Sequence, residues 1–365
     1  MLRSRLRLGL LLGLSCLLGS SFSCLGIGCI GALAEKDLET IGKGSQRGIL
    51  SLSALKSAND EIFCKCLSLF NAACWGVTYI STKAGIDALS YEGVENAACV
   101  FQFVRWLLCA GCLLPWLKGS SCPESMRLSA LVGILNALGY FCISLAYSFG
   151  TSGSKAAFIT SLQAIVVAVM TSCLKGRWQS GTLVSSLLAV LGVGCLVLSG
   201  GLEISPGDFL ALGTPFFMGL AWHLLGDAMK KFPNDSIASV AVQFFVLAVF
   251  FGCWLMVSSL QQGLSFKLQA LQVLQASGLL TPLLFTSFFG SVLTMCFANR
   301  AMRALSTSQV VIICTSEPLW GAMAAVLVLG ETLGASTVVG GVLIILALLC
   351  NELLQEKEDV KVLDW

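Results

Sequence analysis

Apolar runs close to twenty residues long recur along this chain, and they constrain its fold more than any other feature. Helical spans are expected at 66–82, 97–117, 128–149, 154–174 and 181–200, then at 206–226, 236–258, 278–299, 305–329 and 334–353. An α-helix needs about 20 apolar residues to cross a hydrocarbon core ~30 Å thick. Lipid offers the backbone no hydrogen-bond partners, so such runs must be helical there. Composition agrees, with 12% charged residues and a mean hydropathy of +0.86, against roughly 25% charged in a soluble domain. The 37 glycines suit close helix–helix approach, because helices in lipid associate through small residues. The fold class implied is all-α, a polytopic membrane protein of about ten transmembrane helices with the lipid bilayer as its surroundings.

Charge distribution gives the expected orientation. Loops before the first span and every second loop after it hold fifteen basic residues, from Lys36 to Lys361, while the opposite loops hold three, Lys83, Lys155 and Lys267. Such a bias marks the cytosolic or equivalent side, and its regular alternation supports the span count. The net charge of +2 is small, and no basic stripe carries interleaved aromatics, so nucleic acid is not an expected partner. The 17 cysteines fall mostly inside apolar runs. One CxxC, Cys109 to Cys112, lacks the second pair that a structural zinc site needs. A single histidine, His223, excludes multi-histidine metal centres. Neither metal nor cofactor is expected, and no catalytic residue is assigned.

The two halves, 66–200 and 206–353, resemble each other. SKAAFITSLQAIVVAVMTSCLKGRW (Ser154 to Trp178) aligns without gaps to SQVVIICTSEPLWGAMAAVLVLGET (Ser308 to Thr332). Ser161 meets Thr315, Gln163 meets Glu317, and the turn Gly176-Arg177 meets Gly330-Glu331. Trp75 and Lys83 share the spacing of Trp222 and Lys230. Five helices per half is an odd number, so the copies would enter the membrane in opposite directions. Inverted repeats of this kind characterise secondary transporters, with the solute held near mid-membrane between the halves.

Four segments carry a family resemblance: WGVTYISTKAG (Trp75 to Gly85), FQFVRWLLCAGCLLPW (Phe101 to Trp116), GDFLALGTPFFMGLAWHLLGDAMKK (Gly207 to Lys231) and TSEPLWGAMAAVLVLGETLGASTVVGGVLII (Thr315 to Ile345). Together they resemble the EamA-type drug/metabolite transporter superfamily over about residues 66–353. The pair Glu317-Pro318 followed by Gly330-Glu331-Thr332 is the most specific part. The resemblance implies ten helices in inverted five-helix repeats and the export or exchange of a small solute such as an amino acid, nucleobase or organic acid. It names a mechanism class and not a cargo.

Residues 1–34 read as a signal-like leader, with Arg3, Arg5 and Arg7 before an apolar core and Ala32-Leu33-Ala34 as a small-residue cleavage site. Residues 35–65 form a basic pre-membrane segment, transit-like in part, and 354–365 a polar tail. A secretory-pathway or plasma membrane and a plastid membrane both fit this leader.

Arg105 and Glu317 are the charges expected deep within helices, with His223 ionisable nearby. A mid-membrane charge costs roughly 2.5–3.5 kcal/mol on insertion scales, so each needs a partner, water or neutralisation. Glu317 reads either as a solute or proton-coupling site or as support for a kink at Pro318. Arg105 reads as an ion pair or interfacial anchor, or as a solute contact. Gln163, Trp75, Trp222 and Trp320 complete the candidate site, although aromatic packing or interfacial anchoring is the first account of each tryptophan and helix–helix hydrogen bonding that of Gln163. Gln102, Asn136, Gln243 and Asn299 suit ordinary helix–helix hydrogen bonds. Helix 305–329 holds no lysine or arginine, which argues against a phosphorylated cargo. Two other readings remain at this stage: a non-transporting membrane scaffold, and an intramembrane serine protease using Ser152 of a GTSG motif with His223.

Overall fold

In a computed structural model of the chain, residues 46–119, 122–151, 153–175, 180–197, 205–262, 276, 278–324 and 335–363 are described. The leader, most of the 259–277 linker, Ser152, Gly330 and Glu331 lie outside these residues. The architecture is all-helical. Among the described residues, five helical stretches are long and apolar enough to cross a membrane: Ala97–Trp116, Pro123–Ser148, Pro206–Lys231, Pro233–Gln261 and Leu280–Ala304. Shorter apolar helices cover Phe158–Leu174, Gly181–Cys195 and Val338–Asn351.

The expected span at 66–82 is part of a single helix, Gln46–Tyr91, so helix begins well before residue 66. Local sequence explains this: residues 46–65 hold no glycine after Gly48 and no proline, and nothing breaks the helix before the apolar run. Three other expected spans contain interruptions. The first is divided into Gly153–Ser161 and Gln163–Lys175. The second is Pro206–Ala211 followed by Gly213–Lys231. The third is Thr307–Cys314 followed by Glu317–Ala324. Within Leu280–Ala304, residues Phe285–Leu293 form a π-helix.

Helix starts follow from capping chemistry. Ser205 and Asp208 make a capping box at Pro206, with the Asp208 carboxylate accepting from the Ser205 N–H at 2.9 Å. Ser306 and Gln309 do the same before Thr307.

Packing pairs the two halves throughout. Ala97–Leu113 lies against Ser236–Gln262, Pro123–Ser148 against Gly213–Lys231, and Ser180–Val197 against Ala335–Leu363. The Gln46–Tyr91 helix packs on Thr294–Ala304 and Glu317–Ala324. One core cluster accordingly mixes Val132, Leu135 and Val167 with Leu225, Met302 and Val311. Polarity is reversed relative to a soluble bundle. On Ser236–Gln262, Phe245, Val249 and Met256 face outward, spaced as one helix face. Gln243 is buried on the other face and accepts from the Asn136 Nδ2 at 3.3 Å. Apolar side chains facing outward, with polar groups satisfied inside, suit a lipid surrounding.

Candidate functional site

Between the two halves lies a partly open cavity, about 910 Å³ of empty space counting its open mouth. Its walls come from both halves. Trp75, Tyr79, Arg105, Tyr140 and Gln163 face Met218, Trp222, Phe244, Gly290 and Glu317 across it.

Helix interruptions bring two of these side chains to the cavity. Gln163 is the first residue of Gln163–Lys175, and Glu317 the first of Glu317–Ala324. Around them the backbone repeats itself at the sequence offset of the two halves. Leu162 accepts from the N–H groups of Ile165 and Val166 at 3.0 and 3.3 Å, and Ser316 accepts from those of Leu319 and Trp320 at the same two distances. Just upstream, the Ser161 hydroxyl donates to the Phe158 carbonyl and the Thr315 hydroxyl to the Ile312 carbonyl, each at 2.6 Å. Hydroxyls that bond back to the preceding turn compete with the helical ladder and favour a bend. In the second half a proline contributes as well, because the Pro318 ring crowds the carbonyl of Cys314, where the preceding helix ends. Ala164 occupies that position in the first half, so the proline is not required for the interruption.

Each second segment also packs on the other half through a glycine. A Cβ on Gly76 would lie 2.3 Å from the Glu317 carbonyl oxygen. A Cβ on Gly219 would lie 2.7 Å from Val166 Cγ1 and 3.4 Å from the Gln163 carbonyl oxygen. These contacts fix the depth at which Glu317 and Gln163 meet the cavity.

The π-helix builds a third wall. The Ser291 hydroxyl donates to the Thr286 carbonyl, five residues back, at 2.8 Å. Widening the turn frees the Gly290 carbonyl, which accepts from Trp75 Nε1 at 3.1 Å, while Thr294 Oγ1 accepts from the same N–H at 3.0 Å. Local π-helix frequently accompanies functional sites. Trp75 in turn meets Trp222 edge to face, with centroids 5.6 Å apart.

Arg105 and Glu317 are the charged residues of the lining, at 2% and 6% exposure. Tyr79 lines the same cavity as Glu317. Tyr140 stands between the two, close enough to interact with the charge of each. Arg105 Nη2 donates to Ser291 Oγ at 2.7 Å, and its guanidinium carbon lies 4.5 Å from the Trp106 ring centroid. The expected ion pair is not found: among the described residues no carboxylate pairs with Arg105. Nor is Arg105 an interfacial anchor, since it is central in Ala97–Leu113.

Several polar atoms around this space have no protein partner, among them Gln102 Oε1, Arg105 Nε, Trp106 Nε1, Tyr147 Oη and Gln163 Oε1. A buried unsatisfied group costs about 1–3 kcal/mol. Their concentration on one cavity marks a surface prepared for polar contents.

Of the sequence candidates, Trp75, Arg105, Gln163, Trp222 and Glu317 converge here. Trp320 does not line the cavity; its Nε1 donates to Ser316 Oγ at 3.2 Å, across the interruption. His223 points elsewhere and sits 3.6 Å from Asp227. Pro318 is structural, and Gly330 and Glu331 lie outside the described residues. Gln102 and Asn136 do make the interhelical bonds expected of them, and both also line the cavity. Sequence reasoning missed Tyr79, Tyr140 and Tyr147. A signal was available: the chain has 4 tyrosines, and these three fall within expected spans, whereas membrane tyrosines usually gather at the interfaces.

Residues 205–352 match the model of the EamA-like transporter family. The chain resembles this family. The EamA-like match opens at the Ser205 capping box and takes in Trp222, the π-helix and Glu317-Pro318. A curated relative from Archaeoglobus fulgidus, named "Uncharacterized transporter", is 24% identical over 281 residues, covering 76% of this chain and 82% of its own length. A solved crystal structure shares the fold at a TM-score of 0.58 and 11% identity, over 80% of this chain and 98% of that one. Taken with the apolar helices, the EamA-like match describes an integral, multi-pass membrane protein.

Proposed function

We propose that this protein is a secondary transporter that moves a small metabolite across its membrane by alternating access between two inverted five-helix repeats, 66–200 and 206–353. The single observation that carries this reading is the cavity between the halves, buried amid apolar helices and lined by polar atoms without protein partners. An inert scaffold has no reason to bear that cost. The EamA-like match and the name of the archaeal relative support the same reading. The paired interruptions at Gln163 and Glu317, with matching hydrogen bonds at one sequence offset, support the repeat.

Alternating access requires the solute to contact elements that belong to both repeats. The interrupted helices meet that requirement, since each contributes a polar side chain to the cavity and rests on a glycine of the opposite half. Glu317 is the proposed coupling residue, able to exchange a proton as the cavity changes the side to which it opens. A small metabolite is the cargo that a cavity lying between helices of both halves suits.

The test is solute flux. The purified full-length chain in liposomes should show saturable uptake of at least one amino acid, nucleobase or organic acid. Ala221→Phe, which fills the cavity from its wall, should abolish that uptake while the protein still elutes as a folded particle. Flux that survives filling of the cavity would refute the assignment of this site.

A further inference from the structure

Among the described residues, Arg105 is the one lysine or arginine on the cavity wall. Eight residues of helix separate it from either end of Ala97–Leu113, about 12 Å at the helical rise. At that depth it is far from bulk water, and a guanidinium cannot shed its proton. The charge is therefore permanent, and burying it is costly unless a partner or water meets it. The protein supplies dipoles and ring faces: the Ser291 hydroxyl, the Trp106 ring and, 5.6 Å from the guanidinium carbon, the Tyr140 ring. The Nε–H has no partner. Glu317, the remaining charged residue of the lining, makes no ion pair with it.

Resting on the transporter reading above, we propose that Arg105 binds the anionic group of the cargo, and that the cargo is a small organic monocarboxylate. The missing counter-charge then arrives with each solute molecule and leaves with it. A planar guanidinium matches a carboxylate in shape and hydrogen-bond geometry. Charge arithmetic selects among anions. A phosphate monoester carries nearly two negative charges at neutral pH, which one arginine beside a carboxyl group does not balance. A monocarboxylate brings the single charge that Arg105 lacks. Trp75, Trp222 and Phe244 provide apolar walls for the rest of the solute. Arginine is suited to the position because its rings-and-hydroxyl cradle tolerates a delocalised, weakly hydrated cation better than an ammonium.

The test compares matched probes on purified full-length protein in lipid nanodiscs. Binding is read by thermal shift and by tryptophan fluorescence, since Trp75, Trp106 and Trp222 line the cavity. The probes are pyruvate, benzoate, 3-phenylpropionate, indole-3-acetate and alanine, each beside its primary amide, with phenyl phosphate as the dianion. At least one carboxylate should bind saturably, and at least tenfold more tightly than both its amide and phenyl phosphate. Arg105→Gln should erase the preference of acid over amide. Arg105→Lys, which keeps the charge and loses the planar fork, should retain the preference at lower affinity, and it serves if the glutamine variant does not fold. Equal binding of acid and amide, an intact preference in Arg105→Gln, or binding by no carboxylate would overturn the proposal. Liposome flux separates its failure from that of the transporter reading. Saturable transport confined to neutral or cationic solutes would sink the anion site and leave a transporter. Carboxylate binding without flux of any solute would do the reverse.

Discussion

Glu317 and Gln163 occupy matching positions, each the first residue of a helix that begins beside the cavity. The fold thus holds a neutral amide in one half where it holds a carboxyl in the other. Glu317→Gln should preserve insertion and folding, because it keeps the shape and most of the hydrogen-bonding capacity of the carboxyl. If Glu317 couples transport to protons, this variant loses uptake driven by a pH gradient and keeps exchange of solute for solute. Wild-type flux with unchanged pH dependence in Glu317→Gln would leave the residue only a structural part. Gly76 admits a simpler prediction. Its backbone touches the Glu317 carbonyl so closely that a methyl group has no room, and overpacking of this kind costs about 1–3 kcal/mol. Gly76→Ala should lower the melting temperature in detergent and reduce flux together, because the neighbour that must yield is the turn that presents Glu317. An unchanged melting temperature would mean that the two helices are free to separate there.

Helices were legible in the sequence, and of their interruptions only the one at Pro318 was. Apolar runs reveal where a chain enters lipid, since that depends on average hydropathy. A break such as the one at Leu162 leaves that average untouched. Its causes are local, a serine bonding back to Phe158 and a turn closed by Leu162, and serine within an apolar run has bland explanations too. Pro318 gave the second break a visible marker; Ala164 gave the first none. The π-helix at Phe285–Leu293 was equally hidden, although it frees the Gly290 carbonyl for Trp75 and turns Ser291 toward Arg105. Five of the candidate side chains were legible for a different reason: charge, amides and paired tryptophans in lipid demand an explanation. The three cavity tyrosines were passed over because an aromatic ring in a span reads as packing until its hydroxyl is placed. Ser291→Ala tests the wider turn. It removes both the bond to Thr286 and the hydroxyl that holds Arg105. Solute affinity should fall several-fold, with thermal stability lowered by about 1.5–3 kcal/mol, because one of the lost bonds is to a charged group. Unaltered affinity would show that Arg105 is held by the rings alone.

At the scale of the molecule, the proposed topology sets which loops share a face of the membrane, and the chain offers a direct check. Pro206–Lys231 contains 26 residues, roughly 39 Å at the helical rise, and its break at Leu212 removes little of that length. It exceeds a hydrocarbon core of ~30 Å, so its two ends should lie on opposite faces. Lys230 and Lys231 stand at the end where Lys231 pairs with Glu124, and that end belongs to the basic set of loops. The opposite end follows directly on Gly201. Membrane-impermeant labels on single cysteines placed at Lys118, Arg177 and Lys230 should therefore report one face, and those at Gly201 and Gly334 the other. The background cysteines that are exposed, such as Cys173, Cys195 and Cys253, must first be replaced by serine or alanine. The proposed inverted repeat makes the outcome stringent. Equivalent helices in the two halves must run in opposite directions, so Gly201 and Gly334 share a face only if the count between them is even in number of crossings. Labels reporting Lys230 and Gly201 on one side would remove a crossing, make the halves parallel, and take with it the argument that Gln163 and Glu317 approach a shared cavity from opposite directions.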